Sequence, residues 1–160
     1  MNKIKDWLSM LWQWSFIIKD TVTWIERKIH AFNVIPTVAK TAFAAQISGD
    51  NTKDIGDNLY VAIGSNATAP VVADTQLGTE VTRKAASSTT FSGAIGYVST
   101  FFAAWEATGT HREFGLFWNG NASTCSVTAN TWILFSHVAA SITVGATETL
   151  TCQFSITFSS

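Results

Sequence analysis

The chain has 160 residues, of which 47% are hydrophobic and 13% charged, and its formal net charge is −1. This composition can bury the core of one domain, and the balanced charge argues against a general nucleic-acid-binding protein, which needs a basic face. Two cysteines cannot form a disulfide scaffold, and three histidines give no metal-ligand spacing, so we expect no metal and no cofactor.

Residues 1–32 contain no Gly and no Pro, and they predict a long amphipathic α-helix. Apolar residues recur in steps of four and three, a period near 3.5 that keeps one face of a helix against a partner helix. Isoleucine at the d positions, as at Ile4, Ile18 and Ile25, favours a coiled coil of three or more chains. The predicted surface for oligomerisation or docking comprises Ile4, Trp7, Leu8, Leu11, Trp12, Trp14, Ile18, Val22, Ile25, Ile29 and Phe32.

Other interpretations of this segment are less favoured. A transmembrane helix needs about 20 apolar residues, whereas the uncharged run from Trp7 to Ile18 is bounded by Asp6 and Lys19. A secretory signal does not fit, because charges resume before a cleavage site. Two alternatives stay open: a helix lying on a membrane surface, which Trp-rich amphipathic helices suit, and a helix packed on its own domain.

Residues 33–55 predict a short helix and a connector. Pro36 suits the first helical position, and Val38, Ala42, Phe43 and Ile47 form a weak apolar face. Gly49, with the polar residues after it, is a helix stop signal. We expect this helix to link the N-terminal segment to the rest of the chain.

Residues 56–160 predict an antiparallel β-sandwich or jelly roll. Apolar residues alternate with polar ones in several short runs, which is the period of a half-buried strand. The final run is the clearest, because Leu150, Cys152, Phe154, Ile156 and Phe158 share one face. The predicted strands cover residues 58–64, 80–85, 95–104, 112–118, 132–138 and 149–158. Between the first two, Asp74 is expected to cap a single helical turn that ends at Gly78.

The sequence shows no catalytic signature. It contains no Gly-rich phosphate loop, no nucleophile elbow and no zinc-protease motif, so no catalytic residue is predicted. His111 stands near Glu106, Arg112 and Glu113, but ion pairs in a turn explain that cluster. Cys125 and Cys152 can pair only if their elements are neighbours, and two free thiols in a reducing compartment are the favoured alternative.

Two tryptophans in the β region are candidate ligand contacts. Trp105 and Trp118 lie near predicted turns, where an aromatic ring can serve as a stacking platform for a sugar. Packing in the core is the competing role for both. The sequence thus leaves open a receptor- or carbohydrate-binding module as an alternative function.

Several runs of residues resemble small structural proteins of tailed bacteriophages. They are Tyr60 to Gly64, Thr68 to Pro70, Ala73 to Glu80 with Arg83, Glu106 to Thr110, Glu113 to Phe117, and the threonine-rich end from Thr149 to Ser160. The resemblance covers residues 33–160 and is a pattern of turns and strands. It implies a β-rich tail, fibre or baseplate-associated protein, located in the virion and assembled in the host cytoplasm.

Together these features predict a non-enzymatic virion structural protein. Its expected partners are further copies of itself, as a trimer or higher oligomer formed through the helix, and other virion proteins. Capsid decoration is a further alternative, and membrane contact through residues 1–32 is possible but not favoured.

Overall fold

The computed structural model describes residues 9–50, 58–118 and 133–159, which form nine strands and one helix. In chain order these are β1 (Ser9–Asp20), β2 (Glu26–Phe32), α1 (Thr37–Ile47), β3 (Tyr60–Gly64), β4 (Glu80–Ala85), β5 (Ser88–Ser92), β6 (Ile95–Phe102), β7 (Gly109–Trp118), β8 (Ile133–Val144) and β9 (Glu148–Ser159).

The strands form two antiparallel sheets that share one core. The five-stranded sheet has the order β2-β1-β9-β6-β5, and the four-stranded sheet has the order β4-β3-β7-β8. Phe16 and Phe154 from the first sheet are buried in the same cluster as Phe114 and Leu116 from the second. The mainly β prediction is confirmed, and the arrangement fits an antiparallel β-sandwich.

The predicted N-terminal helix is wrong for the described part of residues 1–32. This segment forms the hairpin of β1 and β2, with Gln13 opposite Phe32 and Lys19 opposite Glu26. β1 also pairs along its whole length with β9, the last strand of the chain. From residue 9 onward the segment is therefore part of the five-stranded sheet, rather than a separate docking element.

A period of two explains why β1 is a strand. Trp12, Trp14, Phe16 and Ile18 are all buried, and the residues between them face outward. Full burial of each such side chain is worth about 1.5–3 kcal/mol, and aromatic and β-branched residues suit the pleated surface of a sheet. The same segment also has a 3.5-residue apolar repeat, but it does not form a helix. As a strand it gains backbone hydrogen bonds along the whole length of β9.

One buried hydrogen bond ties the two sheets together. Trp14 Nε1 in β1 donates to Ser136 Oγ in β8 at 2.7 Å. This bond stabilises the contact between the sheets, because a buried indole N–H left without a partner costs about 1–3 kcal/mol.

The short helix is confirmed close to its predicted position. α1 follows Pro36, which occupies the N-cap, and ends in a Schellman arrangement in which Gly49 has a φ of 83° and Asp50 N donates to Ala45 O. Phe43 packs edge-on against Trp12 and Trp118. Of the predicted apolar face, Ala42 is buried but Ile47 is exposed at the helix end.

Most of the predicted strands correspond to observed ones. β4 has its predicted bounds, β3 and β6 start or end within two residues of theirs, and β8 runs further than predicted, to Val144. β5 was not predicted, because its sequence is short and polar and lacks an apolar face. The predicted helical turn capped by Asp74 is not formed, since residues 71–79 contain only turns and bends.

Candidate functional site

A long connection, residues 65–79, covers the outer face of the four-stranded sheet, and we call it the clasp loop. Its ends meet where Ser65 N donates to Thr79 O at 2.9 Å. Leu77 is buried against Ala62, Phe117 and Leu134 of the sheet. The clasp loop is therefore packed onto the domain.

The carboxylate of Glu113, which projects from β7, binds the clasp loop by hydrogen bonds. Its Oε1 accepts the N–H of Thr79 at 2.7 Å and of Asn66 at 3.2 Å, and its Oε2 accepts the N–H of Gly78 at 2.8 Å. The side chain is buried in β7, and hydrogen bonds from backbone N–H groups to a carboxylate are roughly twice as strong as neutral ones. One carboxylate thus satisfies donors at both ends of the loop.

Glycine makes room for this contact. A Cβ at Gly64 would lie 2.4 Å from Glu113 Oε1, and one at Gly115 would lie 2.9 Å from Leu77 Cδ2. A side chain at Gly64 or Gly115 would lift either the carboxylate or the loop from the sheet. The Tyr60 to Gly64 and Glu113 to Phe117 runs of the sequence therefore meet in space around one packing requirement.

His137 and Asp74 complete the cluster. His137 Nδ1 donates to Asp74 Oδ2 at 2.9 Å, and the same oxygen accepts the N–H of Val71 at 2.8 Å. His137 Nε2 lies 3.3 Å from Glu113 Oε2, within ion-pair distance but outside hydrogen-bonding geometry. These residues line a cavity of about 340 Å³ between the clasp loop and the sheet.

The cluster resembles a catalytic arrangement in only one respect. An aspartate that orients a histidine is half of a nucleophile-activating unit, which also needs a hydroxyl or thiol on the other ring nitrogen. Here Nε2 faces Glu113, and within the described residues no hydroxyl donates to it. The oxygens of Glu113 are already taken by loop amides, so the arrangement is suited to holding a loop.

The cluster predicted around His111 and Glu113 is not formed. His111 and Glu113 lie within β7 and do not pair, since His111 Nε2 contacts Ala107 O at 2.8 Å. Glu106 instead pairs with Lys84, and the hydrogen bond from Lys84, followed by that from Ala103 N, lowers the pKa of Glu106. The signal that could have marked Glu113 is a carboxylate directly before the apolar run from Phe114 to Trp118, because a buried charge is rarely without partners.

A second candidate site lies at one end of the sandwich, formed by the connections 21–25, 103–108 and 145–147. We call it the tryptophan tip. Ile18 of β1 and Phe102 of β6 both pair with Leu150 of β9, so the first two connections leave the same sheet at the same level, about 10 Å apart for two strand spacings. Trp24 is 70% exposed and Trp105 is 78% exposed.

Both of these tryptophans have strained backbones. Trp24 has a φ of 61° and Trp105 a φ of 69°, and bulky residues seldom adopt this left-handed region. Each conformation costs of order 1 kcal/mol or more. The strain holds two large rings in the solvent at neighbouring turns.

The predicted site residues are divided between core and surface. Trp118 is 4% exposed and packs on Phe135 with ring centroids 3.8 Å apart, so only Trp105 of the two candidate ligand contacts is accessible. In the predicted docking surface Trp12, Trp14 and Ile18 are core residues, and Ile29 is half-buried. Leu11, Val22, Ile25 and Phe32 are exposed, whereas Ile4, Trp7 and Leu8 lie outside the described residues.

Cys152 lies buried on the inward face of β9 as a free thiol, and burial raises the pKa of that thiol. Its predicted alternative partner, Cys125, lies outside the described residues.

Within ranges 9–50, 58–118 and 133–159, no group of three or more His, Cys, Asp or Glu side chains is arranged to hold a metal ion. In those ranges no helix has the length and hydropathy needed to cross a membrane.

Comparisons of this chain with protein-family models, with curated proteins and with solved structures found no match.

We predict that Glu113→Gln destabilises the protein by about 2–4 kcal/mol. The amide loses the charge and turns an N–H₂ group toward loop donors, so at least one buried N–H is left without an acceptor. Urea denaturation measures the loss, and amide hydrogen exchange at Asn66, Gly78 and Thr79 should accelerate with it. Glu106→Gln, at an exposed carboxylate, is the control and should change stability by less than about 0.5–1 kcal/mol. Equal effects of the two variants would show that Glu113 does not anchor the loop.

We predict that protonation of Asp20 at low pH weakens the hydrogen bonds that its carboxylate accepts in the tryptophan tip. Hydrogen bonds from Thr23 N, the Thr147 hydroxyl and Val22 N lower the pKa of Asp20 from 3.8 to about 2. Because the folded pKa is the lower one, the stabilisation is complete above the ordinary value and disappears as the pH falls through about 2. An NMR titration of the Asp20 carboxyl, followed with the amide shifts of Val22 and Thr23, measures this. Titration near 3.8 would contradict the prediction.

Proposed function

We propose that this protein is a non-enzymatic structural component of a tailed-bacteriophage particle, of a tail, fibre or particle-surface type. Its place of action would be the virion, assembled in the host cytoplasm. The proposal joins the resemblance of residues 33–160 to virion proteins with the construction of the clasp loop.

The observation that carries the proposal is that the carboxylate oxygens of Glu113 are already occupied by hydrogen bonds from the clasp loop. Its buried carboxylate receives three backbone N–H groups, and it lies 3.3 Å from His137. The runs that resemble virion proteins supply the carboxylate of Glu113 and two of its three N–H donors, Gly78 and Thr79. Residues used in this way stabilise a surface loop, which a particle component requires and which catalysis does not explain.

A second group of the same runs is also structural. Arg83 Nε and Nη2 donate to Glu80 at 2.6 and 2.7 Å, and the guanidinium lies 4.5 Å from the centre of the Phe117 ring. This bidentate pair is buried on the outer face of the four-stranded sheet. It adds a second fixed point beside the clasp loop.

Assembly needs a surface other than the predicted helix. The expectation of a trimer or higher oligomer was derived from a coiled-coil repeat that β1 and β2 do not form. We propose the free edge of β5 instead. Every residue from Ser88 to Ser92 is exposed, none is charged, and β5 is the last strand of its sheet.

Each of the other three sheet edges carries charged residues or a backbone contact that hinders pairing with another chain. β2 carries Glu26, Arg27 and Lys28, and β4 carries charges as well, which discourages pairing with another chain. On β8, Val34 exchanges two backbone hydrogen bonds with His137. β5 has neither protection, and two copies can pair antiparallel about Thr90 without opposing charges.

A receptor-binding appendage module is the second candidate function. The observation that favours it is the tryptophan tip, because Trp24 and Trp105 expose their rings at the same end of the sandwich. This role is compatible with a structural one, since a particle component can carry a contact surface.

The virion assignment is tested on particles. We expect an antibody raised against the full chain to detect it in density-gradient-purified phage particles produced by the host that carries its gene, at a fixed copy number per particle. A nuclease-treated lysate fraction without particles is the control. Detection only in the free-protein fraction would overturn the proposal.

The assembly surface is tested with Phe91→Lys, which places a charge on the β5 edge. Native mass spectrometry should show an oligomer of the parent chain and only the 17.3 kDa monomer of the variant. Val81→Lys, an exposed change on the already charged β4 edge, should leave the oligomer intact. A monomeric parent, or an oligomer that survives in Phe91→Lys, would exclude the β5 edge as the interface.

A further inference from the structure

The outermost side chains of the tryptophan tip are apolar. Val22, Trp24, Ile25 and Trp105 each expose more than two thirds of their surface. Large exposed apolar residues clustered in adjoining turns mark an interaction site more often than a chance feature. The polar groups around these four side chains indicate which class of partner the tip can bind.

The backbone N–H groups of the hairpin turn are already hydrogen-bonded within the tryptophan tip. Asp20 Oδ1 accepts the N–H of Val22 at 2.8 Å and of Thr23 at 2.6 Å, and Trp24 N donates to Asp20 O at 3.1 Å. Asp20 N donates to Ile25 O, and Thr21 N to Thr147 O, each at 3.0 Å. The N–H groups of five consecutive residues therefore need no water.

The side-chain hydroxyls are engaged in the same way. Thr21 Oγ1 donates to Thr147 O at 2.7 Å, Thr23 Oγ1 to Asp20 Oδ1 at 3.0 Å, and Thr147 Oγ1 to Asp20 Oδ2 at 2.8 Å. In the 103–108 turn, Ala103 N donates to Glu106 Oε2 at 2.6 Å. These hydroxyls are therefore poorly placed to bind the hydroxyl groups of a sugar or the polar rim of a protein partner.

The charges that flank the tip are compensated. Arg27 pairs with Glu148, and Lys84 pairs with Glu106. The charge of Lys19, whose Nζ lies 4.6 Å from the centre of the Trp24 ring, is balanced by the carboxylate of the adjacent Asp20. A surface with paired charges has no selectivity for an anionic partner. The partner it fits is uncharged overall.

We propose that the tryptophan tip docks onto a lipid bilayer surface, with the rings of Trp24 and Trp105 in the interfacial region. Tryptophan favours this region because its ring is apolar and its N–H can reach the hydrated headgroups. Insertion costs less when backbone donors are already hydrogen-bonded, and the N–H groups of residues 20–24 are. The contact is a property of the folded hairpin, so it differs from membrane binding by an N-terminal helix.

The backbone strain is a second, independent observation. Asparagine adopts a positive φ far more readily than tryptophan, so an ordinary turn would carry Asn or Gly at positions 24 and 105. The chain carries Trp at both, with φ of 61° and 69°. Folding alone would favour the replacement, and the strain points to use of the two rings outside the fold.

The test is flotation of the full-length protein with phosphatidylcholine vesicles. We expect the parent to float, and Trp24→Asn/Trp105→Asn to bind at least about tenfold more weakly per ring removed. The double variant should melt at the same temperature as the parent or higher, because the strain is relieved. Ile47→Asn is the matched control, since Ile47 is fully exposed on α1, whose Phe43 packs on Trp12 and Trp118 far from the tip.

Two results would overturn the proposal: a parent that does not bind the vesicles, whether or not it binds a glycan array, or a double variant that binds the vesicles as well as the parent. Adding phosphatidylglycerol to the vesicles should change binding less than threefold, and a steep dependence on anionic lipid would also overturn it. The outcome is independent of the virion assignment, because particle content is measured separately.

Discussion

The pairing of β1 with β9 is the constraint on which the rest of the sandwich depends. It joins the two ends of the described chain in the middle of the five-stranded sheet, from Ser9 opposite Ser159 to Asp20 opposite Glu148. On its inner face Trp14 lies beside Phe154 and Phe16 beside Cys152, and these pairs form much of the shared core. Because the contact spans nearly the full length of the chain, it must overcome a large loop-closure entropy, and the buried aromatic area supplies the compensation.

The four-stranded sheet holds the clasp loop in place. Loops expose backbone groups that need partners, and the clasp loop finds them in a carboxylate that projects from β7. Glu113 would be costly to bury alone, yet three amide donors and a nearby imidazole offset that cost. Gly64 and Gly115 are required for the same reason, since any larger residue there occupies the space of the carboxylate or of Leu77.

In the tryptophan tip, apolar side chains are exposed rather than buried. Trp12, Trp14 and Trp118 are buried at ordinary backbone angles, whereas Trp24 and Trp105 are exposed and held at positive φ. The polar atoms around Trp24 are bonded to one another rather than to solvent. An apolar surface whose N–H and hydroxyl donors are already bonded is suited to a partner that offers few acceptors, and this links the local strain of two residues to a contact outside the protein.

Local pattern was sufficient for several elements after residue 33. The alternation in β9, the short helix after Pro36 and the bounds of β4 could be predicted because strand and helix periods and stop signals lie within a few residues of one another. For the candidate site, the sequence indicated Trp105 as a contact residue, but it placed Trp118 there too, and only packing on Phe135 distinguishes the two.

Tertiary structure decided what the local pattern left ambiguous. Residues 9–32 contain both a 3.5-residue and a two-residue apolar repeat, and the second prevails because β9 lies beside it. Glu113 and the clasp loop are separated by more than thirty residues, and the two tryptophans of the tip by about eighty, so neither site exists until the sheets form. The sequence by itself determined composition, strand alternation and turn chemistry; which strand pairs with which, and therefore which side chains meet, depended on burial summed over the whole chain.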